Sequence, residues 1–233
     1  MKRQLPNLIT LTNLFCGLCS ILLWLAGDYD KAIIFIIIAA LADFLDGFVA
    51  RLLKVSSAVG KELDSLCDLV SFGVFPSIII YKMLSSGEQL YGVLDIYALP
   101  AFLIAMGAAY RLAKFNVDTR QTEDFIGLNT PSMTIFVLGI HFIAVNNTLG
   151  LTKVVSEPYF LYGLCILLPL LMNMELRLFG LKIKNFGVKG NELKLAIISI
   201  GAILLIWLGF QSLSLIILCY ILLSLVFYNK KAN

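Results

Sequence analysis

Histidine and charge are both scarce in this 233-residue chain: His141 is the only histidine, and Asp, Glu, Lys and Arg together make up 14%. With one histidine there is no His-rich metal site of the zinc or copper kind, and His141 reads as a packed or interhelically hydrogen-bonded side chain. The five cysteines, Cys16, Cys19, Cys67, Cys165 and Cys219, all fall in apolar stretches without metal-ligand partners, so they read as small buried hydrophobes. Cys16 and Cys19 have the spacing of a redox pair, but their setting inside a helix argues against that role. So little charge excludes an ordinary soluble domain of this length. Internal repeats and low-complexity tracts are lacking, and the first apolar stretch has no small-residue cleavage site, so it reads as a retained helix.

Hydrophobic residues make up 60% of the chain and the mean hydropathy is +0.92. Apolar runs of membrane-crossing length predict eight spans, at about 8–26, 32–53, 62–85, 95–117, 130–146, 159–174, 193–210 and 212–228. The expected fold is an all-α polytopic membrane helix bundle, one transmembrane domain over 1–233. Threading the spans puts fifteen of the eighteen Lys and Arg residues on one side, leaving Lys31, Lys82 and Lys153 opposite. The positive-inside rule then places both termini in the cytoplasm of a cell-membrane protein. The net charge of +3 is concentrated in cytoplasmic loops, which suits anionic headgroups and phosphates and excludes an extended nucleic-acid partner. The longest polar loops are 118–129 and 175–192, the second readable as an interfacial amphipathic segment or a basic topological anchor.

Against this background two acidic clusters demand an explanation. The first contains Asp43, Asp46, Gly47, Ala50 and Arg51; the second, after an eight-residue gap, contains Gly60, Lys61, Asp64 and Asp68. A carboxylate near mid-membrane costs about 2.5–3.5 kcal/mol on an insertion scale, so something cationic must sit among four of them. Asp43, Asp46, Gly47 and Ala50 follow the i, i+3, i+4, i+7 spacing of one helix face, and Gly60, Asp64 and Asp68 form a second stripe. Two helices facing each other along these stripes would converge four carboxylates. Oxygen-only ligands suit hard divalent cations, magnesium, manganese or calcium. Four aspartates and Arg51 balanced by two such ions leave a small positive charge, which fits a diphosphate with Lys61 as a further counterion. Two other readings remain open here: acids paired with Arg51, Lys54 and Lys61 as interhelical glue, and a carboxylate-lined pathway of a divalent-cation transporter.

The residues read D-x-x-D-G-x-x-A-R, eight residues, then G-x-x-x-D-x-x-x-D, which resembles the signature of the CDP-alcohol phosphatidyltransferases. The resemblance covers about residues 5–135, the expected catalytic half. It implies that Asp43, Asp46, Asp64 and Asp68 hold two divalent cations, that Gly47 and Ala50 adjoin the cytidine nucleotide, and that Asp68 is the general base. Pro6-Asn7 through Thr12-Asn13 is similar to a recurring start of family members near the nucleotide pocket. The expected CDP-lipid set is therefore Asn13, Gly47, Ala50, Arg51, Gly60 and Lys61, while Thr10, Thr12 and Asn13 also suit interhelical hydrogen bonds.

Acceptor clues come from Arg111-Leu-Ala-Lys114-Phe-Asn116 and Gly127-Leu-Asn129-Thr130-Pro131-Ser132, which together resemble paired motifs of the phosphatidylserine synthase branch. Arg111 and Lys114 with the hydroxyls of Thr130 and Ser132 suit a serine carboxylate or a lipid phosphate. Asn129 departs from the pattern, standing where proline is common. The resemblance implies transfer of a phosphatidyl-type group from CDP-diacylglycerol or CDP-archaeol to L-serine with release of CMP, by a homodimer among membrane lipids. The same transfer to glycerol 3-phosphate or inositol phosphate is the alternative.

Overall fold

A computed structural model describes residues 4–55, 57–85, 94–118, 125–147, 150–178 and 192–232. Among the described residues ten α-helices and one two-residue strand pair divide into two compact units, residues 1–118 and 119–233.

The first unit contains α1 (Leu5–Leu25), α2 (Tyr29–Leu52), α3 (Ala58–Asp68), α4 (Phe75–Leu84) and α5 (Phe102–Val117). Proline in the first turn of α1 occupies a position where the missing N–H costs nothing. Gly27, with φ +85°, turns the chain, and Asp28 caps α2 by accepting from the Lys31 N–H at 3.3 Å. The Lys31 ammonium also reaches Asp28, and this hydrogen bond holds the exposed Asp28 carboxyl below its ordinary range. At the other end of α2 the non-glycine Lys54 adopts φ +51°, and the Val55 N–H returns to the Ala50 carbonyl at 3.0 Å. That left-handed turn delivers Ser57, whose hydroxyl accepts from the Gly60 N–H at 2.9 Å and starts α3.

α3 does not stop at Asp68 but widens into a π-helical turn, Leu69–Val74, before continuing as α4. Pro76 supplies the cause, because its ring conflicts with the carbonyl four residues back in a regular helix, and the wider turn relieves that conflict. The Phe75 N–H bonds to the Val70 carbonyl, and Ser77 Oγ satisfies the Gly73 carbonyl at 2.7 Å. Close approaches seat this turn on both sides: a Cβ on Gly17 of α1 would collide with Ser71, and one on Gly73 would come 3.0 Å from the Ala108 Cβ of α5. Trp24, Phe72, Phe75, Ile79, Ile80 and Ile104 fill the core around it.

The second unit contains β1 (Phe125–Ile126), α6 (Thr130–Asn146), α7 (Thr152–Val155), α8 (Pro158–Asn173), β2 (Arg177–Leu178), α9 (Glu192–Leu208) and α10 (Leu213–Ala232). β1 and β2 pair antiparallel, and Gly127, with φ +76°, passes too close to the Met172 carbonyl for any side chain. Arg177 and Leu178 are thus strand, where the sequence suggested an amphipathic interfacial segment; residues 179–191 of that segment lie outside the described residues. α9 and α10 fold back on each other at Gly209, φ +63°, so that Gly201 lies against Ile216.

All eight expected spans are helical. Five helical segments among the described residues are long and apolar enough to cross a membrane: Leu5–Leu25, Tyr29–Leu52, Ala58–Leu84, Ile96–Val117 and Lys194–Val226. The last of these is the α9–α10 hairpin. α6 and α8, with 17 and 16 residues, extend roughly 25 Å each, short of a hydrocarbon core of about 30 Å. The expectation of an all-helical bundle thus holds, with five segments among the described residues reaching crossing length.

Candidate active site

The site lies within the first unit, where α1 packs on both α2 and α3. The two acidic stripes meet through their aspartates, as the sequence suggested, while α2 and α3 both pack on α1, which supplies polar side chains to each. Thr10 Oγ1 lies 2.5 Å from Asp46 Oδ2 and 3.0 Å from the Pro6 carbonyl. Asn13 Nδ2 donates to Asp68 Oδ1 at 3.0 Å, and Ser71 Oγ donates to the Asn13 carbonyl at 3.2 Å. Thr12 makes no interhelical bond: it turns outward and donates to the Leu8 carbonyl of its own helix.

Three of the four aspartates converge. Asp43, Asp64 and Asp68 each offer a carboxylate oxygen, all within 4.8 Å of one another, and Asp43 and Asp68 come within hydrogen-bonding reach. Two carboxylates this close require a proton or a cation between them. Asp64 Oδ1 is buried and has no protein hydrogen-bond partner. Asp46, buried at 6% exposure, stands outside this trio. Among the described residues none of the four is salt-bridged to Arg51, Lys54 or Lys61, although Arg51 lies near enough to act on Asp46, so direct ion pairs do not hold these helices together. An all-oxygen donor set with an orphaned carboxylate oxygen fits a hard divalent cation.

Beside the trio lies a cavity of about 740 Å³, within the range of small-molecule sites. Asp46, Gly47, Ala50, Gly60, Lys61 and Asp64 line it, as do Gln4, Pro6, Asn7 and Thr10 of α1. A Cβ at Gly60 would come 2.9 Å from Ser57 Oγ and 3.1 Å from Asn7 Oδ1, so a side chain there would push on the Ser57 cap and on Asn7 at the cavity wall. Arg51 is exposed and lies over Gly47, its Nη1 3.5 Å from where a Cβ would be. Lys61 donates to the Asn116 carbonyl at 2.6 Å, so one ammonium hydrogen is engaged and two remain for a ligand. Asn13, expected at the nucleotide, is not part of the cavity wall and holds Asp68 instead. Sequence reasoning missed Ser57 and Gln4; the N-cap spacing from Ser57 to Gly60 was the available signal for the first, and nothing marked the second.

Of the expected acceptor residues, Arg111 is buried on α5 with its guanidinium 6.0 Å from the centre of the Phe115 ring, and Lys114 is half-buried one turn on. Thr130 and Ser132 belong to the second unit. Thr130 is buried at the start of α6, and the Ser132 N–H donates to Asn129 Oδ1 at 2.8 Å. Asn129 is therefore the N-cap of α6, which gives the departure from proline a structural use.

Three converging carboxylates that could hold a divalent cation thus lie beside a ligand-sized cavity, among helices apolar enough to cross a membrane. The family model described as CDP-alcohol phosphatidyltransferase matches residues 3–228, and the chain belongs to that family. It is 30% identical to a CDP-diacylglycerol–serine O-phosphatidyltransferase of Helicobacter pylori, over 98% of this chain and 96% of that one. It is 38% identical to the enzyme of the same name from Bacillus subtilis, over 54% of this chain and 69% of the relative. An archaetidylserine synthase of Methanothermobacter thermautotrophicus is 37% identical over 57% of this chain and 55% of its own length.

Proposed function

We propose that this transferase moves a phosphatidyl-type group from a CDP-lipid to the hydroxyl of L-serine and releases CMP. The observation that carries the reading is the cavity itself, which joins Gly47, Ala50, Gly60 and Lys61 to the carboxylates of Asp46 and Asp64. The printed names of the relatives, one of them matched along almost the whole chain, support serine as acceptor.

Asp43, Asp64 and Asp68, with Asp46 at the cavity wall, would hold two divalent cations, magnesium or manganese, or calcium. Bound there, such ions neutralise a diphosphate and stabilise entering and leaving oxygens in phosphoryl transfer. The chain's own groups do the rest. Gly47 and Ala50 leave room for the nucleotide along α2, and Arg51 and Lys61 oppose its phosphate charge. Asn13 fixes the rotation of the Asp68 carboxylate, which takes the proton from the serine hydroxyl as that oxygen attacks the lipid-proximal phosphorus. The bond from that phosphorus to the CMP oxygen breaks, and CMP leaves. Arg111 and Lys114 hold the serine carboxylate. A forked guanidinium suits a carboxylate better than an ammonium does, so Arg111 sets alignment as well as attraction. Family membership supports a homodimer as the working form, and the basic bias supports a site opening to the cytoplasm.

The test is CMP release by purified protein given a CDP-lipid with serine, glycerol 3-phosphate, inositol phosphate or inositol in turn, with and without chelator. Serine-dependent, chelator-sensitive release is the expected result. Release with another acceptor and none with serine reassigns the acceptor. Metal flux into proteoliposomes without CDP-lipid favours the transporter.

A further inference from the structure

Lys61, Glu62 and Ser65 of α3 form a clasp on the last turn of α5. Lys61 Nζ donates to the Asn116 carbonyl at 2.6 Å, and Asn116 Nδ2 donates to Glu62 Oε2 at 3.1 Å and to Ser65 Oγ at 3.0 Å. One amide nitrogen carries two hydrogens, so it serves both acceptors at once. The clasp joins the helix that carries Asp64 and Asp68 to the helix that carries Arg111 and Lys114, across more than fifty positions of sequence. Its placement on α3 is specific. Residues 61, 62 and 65 share one face by their spacings of three and four, while Gly60, Asp64 and Asp68 form the adjacent stripe about 100° away. Holding the first face against α5 therefore sets the rotation of α3 about its own axis, and with it where Asp64 and Asp68 point.

We propose that Asn116 is a positioning residue for acceptor use: it sets α3 in the rotation that presents Asp64 and Asp68 to an acceptor held by α5. This rests on the proposed reading that Arg111 and Lys114 hold the acceptor. The CDP-lipid cavity is lined also by α1 and α2, and Lys61 bonds the Asn116 backbone carbonyl, which side-chain variants of Asn116 keep, so donor binding is less sensitive to the Asn116 side chain.

The test compares purified wild type, Asn116→Ala, Asn116→Asp, Glu62→Gln and the Asn116→Asp/Glu62→Gln pair, with CDP-diacylglycerol, serine and manganese. Asn116→Asp sets a second carboxylate against Glu62, whereas the pair restores a hydrogen bond of reversed polarity, the new amide donating to the new carboxylate. Asn116→Asp should lower kcat/KM for serine about tenfold or more, with the CDP-lipid KM within about twofold. Glu62→Gln should stay within about twofold, and the pair should recover most of the loss. Asn116→Ala, which adds no charge, should fall between, and it carries the test if Asn116→Asp does not fold. The proposal is overturned if neither Asn116 variant changes serine use, if the pair is no better than Asn116→Asp, or if serine and CDP-lipid KM rise together with a lower Tm. Should wild type use a different acceptor, the serine reading fails, and the same variants assayed with that acceptor still decide the clasp.

Discussion

Asn13 shows how a single side chain can serve a site without lining its cavity. The sequence offered it a nucleotide contact or an interhelical hydrogen bond, and it makes the second: it is fully buried and its amide holds Asp68. A hydrogen bond to a charged acceptor contributes roughly 1.5–3 kcal/mol, about ten- to a hundredfold in rate if expressed in the transition state. Asn13→Ala should therefore lower kcat by that order and leave the CDP-lipid KM nearly unchanged. Steady-state kinetics decide it, since a nucleotide contact would raise KM for the donor instead. Asp64 makes a complementary case. With one buried oxygen unpartnered, its carboxylate destabilises the metal-free protein and is retained for binding. Asp64→Asn should weaken manganese binding by at least about tenfold and abolish most CMP release. It should nevertheless raise the Tm measured in chelator, whereas a structural role would lower it.

At the level of elements, the π turn and its glycine seat fix where Asp68 emerges from α3. An added methyl at Gly17 collides with Ser71, whose hydroxyl bonds the Asn13 carbonyl, so Gly17→Ala disturbs the same helix contact that aligns Asn13 with Asp68. Overpacking of this kind costs about 1–3 kcal/mol. Gly17→Ala should lower both Tm and kcat, and adding Ser71→Gly should restore part of the Tm by removing Oγ and Cβ, while the Ser71 Cα stays 3.0 Å from the added methyl; thermal unfolding in detergent and CMP release measure the two. Hydropathy runs made the long helices legible, and the carboxylate spacings made Asp43, Asp64 and Asp68 legible as candidate partners. Pro76 is a local sign of the π turn, whereas the Asn116 clasp could not be read, because Asn116 bonds α3 across 51 to 55 positions, beyond any local periodicity. Thr10 and Asn13 were legible as interhelical hydrogen-bonding residues, but only packing shows that each serves a different acidic stripe.

Across the whole molecule, the end of the first unit that bears the cavity also bears most of its positive charge. Arg51, Lys54, Lys61 and Lys114 stand at the end where α2 finishes, α3 begins and α5 finishes, together with the Lys61–Asn116 contact. The opposite end has Lys31 and Lys82 with Asp28, Asp30 and Asp95. Since Lys and Arg near helix ends favour the cytoplasmic side, this distribution supports the proposed opening of the cavity to the cytoplasm, on the side of the proposed substrates. Topology is testable without reference to catalysis. In a background with the five free cysteines replaced, Lys54→Cys and Asp30→Cys place single thiols at exposed positions on opposite ends. A membrane-impermeant maleimide added to intact cells should label Asp30→Cys and spare Lys54→Cys, and inside-out vesicles should reverse the pattern. Labelling of Lys54→Cys in intact cells would turn the cavity outward, away from the cytoplasmic supply of nucleotide-activated lipid, and would leave the proposed serine transfer without access to its substrates.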